Sequence, residues 1–163
     1  MKRYWELAYK DSNPEWKKWD APYYEHKALS YGKFETDVRD RYLEKNDVYG
    51  LFVDHTLIGT VSYYWEHEPS KWLEVGIIIY DSNLWNEGYG TPFLKAWITH
   101  LFETLPLVRV GFTTWSGNKR MMRLGEKLGM TQEARLRKCR LNNGIYYDSI
   151  RYGVLREEWI SFQ

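Results

Sequence analysis

The fold of this chain is decided by residues 75–102, which read VGIIIYDSNLWNEGYGTPFLKAWITHLF. The first six residues are almost continuously apolar, which is typical of a strand buried on both faces in the middle of a sheet. A turn containing Gly88 and Gly90 follows. After the turn, one wide apolar stripe recurs at helical spacing, formed by Phe93, Leu94, Trp97, Ile98, Leu101 and Phe102. The stretch therefore predicts a buried strand, a glycine turn and an amphipathic helix.

Hydrophobic periodicity and turn residues predict further elements on both sides of this stretch. Strands are predicted over residues 48–53, 56–66, 72–80, 107–114, 134–141 and 145–155. Helices are predicted near residues 16–19, over 34–45 and 89–103, and from Ser116 or Asn118 to Gly129. Ser12 or Asn13 is the expected cap of the first helix. The last two strands form a hairpin, because Asn142-Asn143-Gly144 is a strong hairpin signal.

The strand-helix-strand unit over residues 72–114 sets the topology. It implies a right-handed crossover between two parallel strands, whereas the hairpins are antiparallel. The predicted fold class is therefore α/β (α+β, mixed sheet), with a central mixed β-sheet of about six to seven strands flanked by helices. A chain of 163 residues is the size of one compact domain, so a single domain over residues 1–163 is expected.

Composition excludes several classes of protein. Apolar residues make up 44% of the chain, too many for a disordered protein, and the net charge of +1 gives no bulk attraction to nucleic acid. The N-terminus lacks the apolar segment of a signal peptide, and no apolar run is long enough to span a bilayer. The single cysteine, Cys139, cannot form an internal disulfide and is expected to pack in the hairpin. A cytoplasmic protein without membrane contact is expected.

Two further compositional features bear on binding. The four histidines are scattered without the spacing of metal ligands, so no metal is expected. Aromatic residues make up 18% of the chain. They serve packing first, although they could also line a pocket that holds a cation or a ring.

The glycine turn is placed where an anion could bind. The N-terminus of a helix has unpaired backbone N–H groups and a partial positive charge. Gly88 and Gly90 directly precede the predicted helix, and glycines let a phosphate approach those N–H groups closely. The alternative is a turn that simply needs positive φ. A dinucleotide fingerprint would have a glycine at Phe93, and the Gly-Lys-Ser/Thr of a phosphate-binding loop is missing.

Three separated segments resemble the GNAT superfamily of N-acetyltransferases, in that family's order. Residues 85–91 are similar to its coenzyme A pyrophosphate loop, Gln/Arg-x-x-Gly-x-Gly/Ala. Residues 118–130 resemble its "Asn…Glu-Lys-Leu-Gly-Phe" helix, and the tail over 135–159 resembles the branch named for ribosomal-protein N-acetyltransferases. The resemblance covers about residues 48–159, whereas the first forty residues match poorly.

The resemblance implies that acetyl-CoA is the cosubstrate and that a substrate amine attacks its thioester directly. Backbone groups of Ile77 and Ile79 would then bind the pantetheine arm. The pyrophosphate would lie in the turn formed by Trp85, Asn86, Glu87, Gly88, Tyr89, Gly90 and Thr91. Asn118 would bind the pantetheine amides and Met121 would pack on them, although Asn118 could also be a helix cap. Three cations could reach the 3′-phosphate or could be ordinary solvated charges: Lys119, Arg120 and Arg123.

Two residues depart from the family pattern. Trp85 stands where the family has Gln or Arg, so one usual pyrophosphate contact is missing. Gly125 stands where many members carry a tyrosine that protonates the leaving thiolate. A thiolate with a pKa near 8.5 is a tolerable leaving group near neutral pH, so this loss need not abolish activity.

Two carboxylates are candidates for the general base that an alkylammonium acceptor requires. Glu74 lies in the strand that leads to the glycine turn, and it could instead be a solvated residue or the partner of a neighbouring cation. Glu133 is the second candidate, because some members of the branch use a glutamate there. It could also be a surface residue. Cys139 is not needed as a nucleophile.

The acceptor remains open between a protein amine and a small amine such as a polyamine. Glu66, Glu68 and Asp81 lie near predicted strand ends, where they could attract a cation. A non-catalytic acyl-CoA sensor or interaction module is the alternative to an enzyme, and the glycine at position 125 keeps it open. The expected assembly is a monomer or a homodimer.

Overall fold

The computed structural model describes residues 1–162, apart from the side chains of Leu43 and Phe162. Its helices are α1 (Lys2–Ala8), α2 (Tyr31–Asp37), α3 (Arg39–Glu44), α4 (Gly90–Thr104), α5 (Lys119–Lys127) and α6 (Arg156–Phe162). Its strands are β1 (Val48–Val53), β2 (Thr56–His67), β3 (Trp72–Ile79), β4 (Arg109–Trp115), β5 (Thr131–Asn142) and β6 (Ile145–Leu155). Short 3₁₀ helices lie at Glu15–Lys18, Glu68–Ser70 and Ser82–Leu84.

The strands form one six-stranded sheet in the order β1-β2-β3-β4-β6-β5. β3 and β4 are parallel, and the other neighbours are antiparallel. The predicted mixed sheet and its parallel crossover are therefore confirmed. The hairpin turn is also confirmed, because Asn143 and Gly144 have φ values of 49° and 76°, the left-handed region that the tightest hairpin turns need.

The two faces of the sheet are covered by different parts of the chain. On one face, α4 buries the predicted stripe through Leu94, Trp97, Ile98, Leu101 and Phe102. On the other face, an aromatic cluster joins Tyr80 at the end of β3 to the N-terminal segments through Tyr4, Trp16 and Phe34. Much of the aromatic content therefore serves packing. Trp159 of α6, a helix the sequence analysis did not assign, is buried in the first cluster.

The predicted helix over residues 34–45 is broken into α2 and α3 at Val38. Phe34 and Tyr42 both contact the ring of Tyr4, with ring centroids 6.0 Å and 5.4 Å away. Both residues therefore pack on the same ring of α1, although the helix is interrupted between them.

The N-terminal region differs from the sequence prediction in three ways. α1 was not predicted, although Tyr4 and Ala8 bury one face of it. The helix expected near residues 16–19 is a single 3₁₀ turn, and no side chain caps it. Asn13 does not serve as a cap, since Pro14 occupies the N-cap position, and the Asn13 backbone N–H donates to Asp11 Oδ1 at 2.9 Å.

The β5–β6 hairpin contains a bulge that corrects the prediction for Cys139. The register shifts between Leu136 and Arg140, and Lys138 has φ of 54°. Asp148 holds the bulge, since it accepts from Lys138 N at 2.9 Å and from Arg135 Nε at 2.6 Å. Both contacts lower the pKa of Asp148, the backbone N–H most. Cys139 lies in this bulge and is exposed rather than packed.

Candidate functional site

A wedge opens between β3 and β4. The two strands pair only over Trp72–Glu74 of β3, and beyond Glu74 they no longer pair with each other. Tyr80 N donates to Ile58 on β2, so by strand alternation the backbone groups of Ile77 and Ile79 point into the wedge. The wedge holds a cavity of about 350 Å³ that Ile77 and Ile79 line.

The glycine turn forms one end of this cavity. Gly88 has φ of 87°, a conformation that favours glycine, and open space surrounds the position of its missing side chain. Within residues 1–162, no side chain caps α4, so the first backbone N–H groups of the helix are left for a ligand. The turn residues lining the cavity are Trp85, Asn86, Gly88, Tyr89, Gly90 and Thr91. Glu87 is exposed and does not line it.

α5 forms the opposite wall of the cavity. Asn118 Oδ1 accepts from Met121 N at 3.1 Å, so the predicted helix cap is confirmed, and both residues line the cavity. Arg120 and Arg123 also line the cavity, whereas Lys119 is exposed outside it. Lys127 lines the cavity too, and the sequence analysis missed it. Its spacing from Arg120 and Arg123 along one helix face was the available signal.

The N-terminal segment covers part of the cavity, a contribution that the sequence analysis did not predict. Trp16, Trp19 and Asp20 line it. The carbonyl of Trp19 accepts from Trp115 Nε1 at 2.8 Å and from Asn118 Nδ2 at 3.1 Å. These bonds fix the segment to the end of β4 and the start of α5.

Trp85 contacts three residues at the head of the turn, which are Ile79, Trp19 and Arg120. Its indole Nε1 donates to the Ile79 carbonyl at 2.8 Å. Its ring meets the ring of Trp19 edge-on, with centroids 6.4 Å apart and planes at 85°. The guanidinium of Arg120 lies over both rings, 4.4 Å from the centroid of Trp19 and 4.8 Å from that of Trp85.

Glu74 lies at the vertex of the wedge, as the last β3 residue paired with β4. Its carboxylate is buried, with 2% of the residue exposed, so the solvated alternative is wrong. The alternative of a cation partner is borne out, because Arg151 Nη1 on β6 lies 3.8 Å from Glu74 Oε1. Tyr64 OH donates to Glu74 Oε2 at 2.7 Å. Loss of water around the Tyr64 hydroxyl, followed by its hydrogen bond to Glu74, raises the pKa of Tyr64. The tyrosine therefore stays protonated at neutral pH and is the donor.

Glu133 lies on the closed side of the wedge, away from the cavity. It is a bulge residue of β5, about one third exposed, and it pairs with Arg109 at the start of β4. The guanidinium of Arg109 also stacks over the ring of Trp72 at 5.1 Å. A side chain at Gly153 would overlap this ion pair, so the glycine makes room for it. Glu133 therefore has a structural partner and, like Glu74, is not itself among the residues that line the cavity.

Gly125 faces the core instead of the wedge. A Cβ built there would lie 2.7 Å from Phe112 Cζ and 3.0 Å from Tyr152 Cδ1, and these two rings are stacked 5.1 Å apart. The Tyr152 hydroxyl donates to Glu126 Oε1 at 3.2 Å. Desolvation, together with the Glu126 charge, raises the pKa of Tyr152. Aromatic rings therefore occupy the space next to this position.

Gly125→Ala is expected to lower the free energy of unfolding by about 1–3 kcal/mol, because fully buried Phe112 cannot move aside. Gly32→Ala is the matched control, since that helical glycine has nothing within 4 Å of its built Cβ. The control is expected to be neutral or to stabilise by up to about 1 kcal/mol. Urea unfolding of both variants measures the difference, and equal behaviour would contradict the packing argument.

The three acidic residues considered for cation binding do not form one site. Glu66 and Glu68 are exposed at the His67 end of β2. Asp81 lies beyond the other end of β3, where it accepts from Asn83 N at 3.0 Å. The antiparallel register of β2 and β3 places these ends on opposite edges of the sheet. Asp81 therefore cannot act on the same cation as Glu66 and Glu68.

Comparison with known proteins agrees with this geometry. Residues 4–131, most of the chain, match the family model described as the acetyltransferase (GNAT) domain. The chain belongs to the GNAT acetyltransferase family. It is thus an acetyl-CoA-dependent acetyltransferase. The GNAT fold and the family membership predicted from the sequence are confirmed.

Curated relatives of this GNAT domain come from Bacillus subtilis (strain 168). The chain is 29% identical over 124 residues to "Putative ribosomal N-acetyltransferase YdaF", covering 76% of this chain and 67% of the relative. It is 36% identical over 73 residues to the SPbeta prophage-derived uncharacterized N-acetyltransferase YokL, covering 45% of this chain and 41% of the relative. The YokL match therefore spans less than half of that relative.

Solved structures share the fold of this GNAT domain. A GNAT-family acetyltransferase from Bacillus anthracis is 20% identical with a TM-score of 0.74, covering 94% of this chain and 90% of that one. Spermidine N-acetyltransferase from Vibrio cholerae, in complex with CoA and spermine, is 19% identical with a TM-score of 0.77, covering 96% and 89%. At these identities the likeness is one of fold.

Residues 1–162 contain neither a candidate membrane-spanning helix nor a cluster of metal-ligating side chains. None of the helices there combines the length and apolar character that crossing a bilayer requires. No three His, Cys, Asp or Glu side chains in the described part of the chain are grouped so that they could hold a metal ion.

Proposed function

We propose that this GNAT domain transfers the acetyl group of acetyl-CoA to a primary amine by direct attack, with Glu74 as the general base. The observation that carries the proposal is the wedge. Its cavity begins at the free N–H groups of the glycine turn, and the strands that enclose it converge on a buried carboxylate. A donor bound by its phosphates at the turn would have its thioester directed toward that carboxylate.

The residues present fit acetyl-CoA. Pyrophosphate oxygens would accept from the N–H groups at the start of α4, where positive φ at Gly88 turns the chain around them. The pantetheine arm would run along β3 as an added strand. Ile77 offers backbone groups to it, whereas the Ile79 carbonyl already accepts from Trp85. Asn118 and Met121 would contact the arm from the α5 side.

The proposed reaction removes two protons from the ammonium and adds one to the thiolate. Glu74 takes the first proton from the bound ammonium, directly or through water, and so frees the nitrogen lone pair. The amine nitrogen then bonds to the thioester carbonyl carbon, and the carbon–sulfur bond breaks. The nitrogen releases its second proton to water as the amide forms, and the thiolate takes up a proton from water, because Gly125 supplies no acid. The products are an N-acetyl amine and CoA.

The acceptor we propose is a protein N-terminal amine rather than a polyamine. A polyamine requires carboxylates for its distant ammonium groups, and of the acidic residues considered for cation binding, Glu66 and Glu68 lie at one edge of the sheet and Asp81 at the other. YdaF, the relative named for a ribosomal activity, adds support for a protein acceptor.

Release of free CoA thiol from acetyl-CoA tests the proposal. N-terminal peptides of ribosomal proteins are expected to support turnover, and spermidine and spermine are expected to be at least tenfold poorer. Turnover with polyamines alone would overturn the acceptor assignment. Tight CoA binding without turnover on any amine, unchanged by Glu74→Gln, would instead favour an acyl-CoA sensor.

A further inference from the structure

We propose that Arg120 is the side chain that binds the CoA pyrophosphate, and that Trp85 and Trp19 hold it in place for this purpose. The proposal rests on the function proposed above and deepens it. Trp85 stands where the family carries a Gln or Arg at the head of the pyrophosphate loop. In this chain the cation would come instead from the neighbouring helix, and the tryptophan would act as its platform.

The guanidinium of Arg120 is fixed by stacking. It lies in the corner that the two perpendicular indole rings form, within 4.8 Å of both ring centroids. Both rings are themselves fixed. The Trp85 indole donates to Ile79, and the Trp19 carbonyl accepts from Trp115 and Asn118. An arginine held in this way loses little conformational freedom when it binds a ligand.

The N–H groups of Arg120 have no acceptor within residues 1–162, although its guanidinium stacks on the rings of Trp19 and Trp85. Within residues 1–162, no oxygen accepts a hydrogen bond from Arg120 and no carboxylate pairs with it. Arg156 provides the contrast, since it stacks on Phe102 and also donates to the carbonyls of Phe102, Leu105 and Leu107. Arg156 is a structural arginine with its donors satisfied. Arg120 has the same kind of ring support and leaves its donors for a ligand.

The position of Arg120 selects the pyrophosphate. Arg120 lines the same cavity as Gly88 and Thr91, and it contacts the ring of the residue that begins the turn. The planar N–H fork of an arginine matches two phosphate oxygens, which suits a diphosphate beside a helix N-terminus. Arg123 and Lys127 line the cavity further along α5, so Arg120 is the cation of this helix face nearest its N-terminus.

Calorimetric titration with CoA and with dephospho-CoA, which lacks the 3′-phosphate, tests the assignment. Arg120→Ala is expected to weaken binding of both ligands by the same factor, about 10- to 100-fold. Arg120→Lys keeps the charge without the planar fork and is expected to recover only part of the loss. Trp85→Ala is expected to weaken both ligands in the same direction. Lys119→Ala, an exposed neighbour outside the cavity, is the matched control with unchanged affinity.

A rescue variant separates the ligand role from a structural one. Trp85→Arg places the family's cation at the turn. When it is combined with Arg120→Ala, CoA affinity is expected to be at least tenfold higher than in Arg120→Ala alone. If Arg120→Ala lost affinity for CoA but not for dephospho-CoA, Arg120 would be assigned to the 3′-phosphate and the proposal would be overturned. An unchanged affinity in Arg120→Ala would do the same. If the unmodified protein binds neither ligand, the proposed function itself fails.

Discussion

Glu74→Gln is expected to lower kcat/KM for acetyl transfer by about 100- to 10,000-fold, the usual contribution of a general base. Glutamine has the size of glutamate and keeps an oxygen that can accept from Tyr64 OH, but it cannot take a proton from the acceptor. Because the carboxylate is buried at the vertex of the wedge, water replaces it poorly. Free thiol release at saturating acetyl-CoA measures the effect, and CoA affinity is expected to be unchanged.

Glu133→Gln distinguishes the two candidate bases. It is expected to lower kcat/KM by less than tenfold, since Glu133 is about one third exposed at the closed side of the wedge and its carboxylate is paired with Arg109. Melting temperatures of both variants show whether either loss comes from unfolding. A large loss in Glu133→Gln, combined with an active Glu74→Gln, would assign the base to Glu133 and refute the mechanism proposed here.

The elements around the wedge were predictable because their signals are local. A continuously apolar run, two glycines and a helical stripe within residues 75–102 specify strand, turn and helix without any distant contact. The parallel pairing of β3 and β4 then follows from the handedness of the crossover. The cap at Asn118 depends only on the residues that follow it.

The N-terminal wall of the cavity depends on contacts that no local pattern contains. The bond from Trp115 to the Trp19 carbonyl joins residues 96 positions apart. The packing of Phe34 and Tyr42 likewise depends on a ring supplied by α1. Residue type alone also could not separate Glu74 from Glu133. Burial separates them, and it is set by where β3 stops pairing with β4.

The two departures from the family pattern have different consequences in the structure. At position 125, Phe112 and Tyr152 occupy the surrounding space, so a tyrosine could not simply be restored there. At position 85, the larger side chain creates a new contact with Arg120. Under the proposed mechanism the first departure leaves the site without a tyrosine acid, whereas the second would change which residue carries a phosphate contact.

Gly88→Val is expected to weaken CoA binding at least 100-fold while the protein stays folded. Positive φ at residue 88 is strained for a β-branched side chain, so the turn is expected to change shape and withdraw N–H groups from the pyrophosphate. Two lost bonds to a charged oxygen, each contributing about 1.5–3 kcal/mol, account for the factor. Gly90→Val is expected to act in the same direction, because its Cβ would lie 2.8 Å from Leu124 Cδ1.

Gly144→Val is the matched control for this experiment. Gly144 also has positive φ, 76°, and open space around its missing Cβ, but it lies in the hairpin turn away from the cavity. Both substitutions therefore carry a similar backbone cost, about 1–3 kcal/mol, and only Gly88→Val touches the phosphate site. Calorimetry with CoA and thermal unfolding separate the two effects. If Gly88→Val binds CoA as tightly as Gly144→Val, the glycine turn does not hold the pyrophosphate, and the orientation of the donor in the wedge must be reassigned.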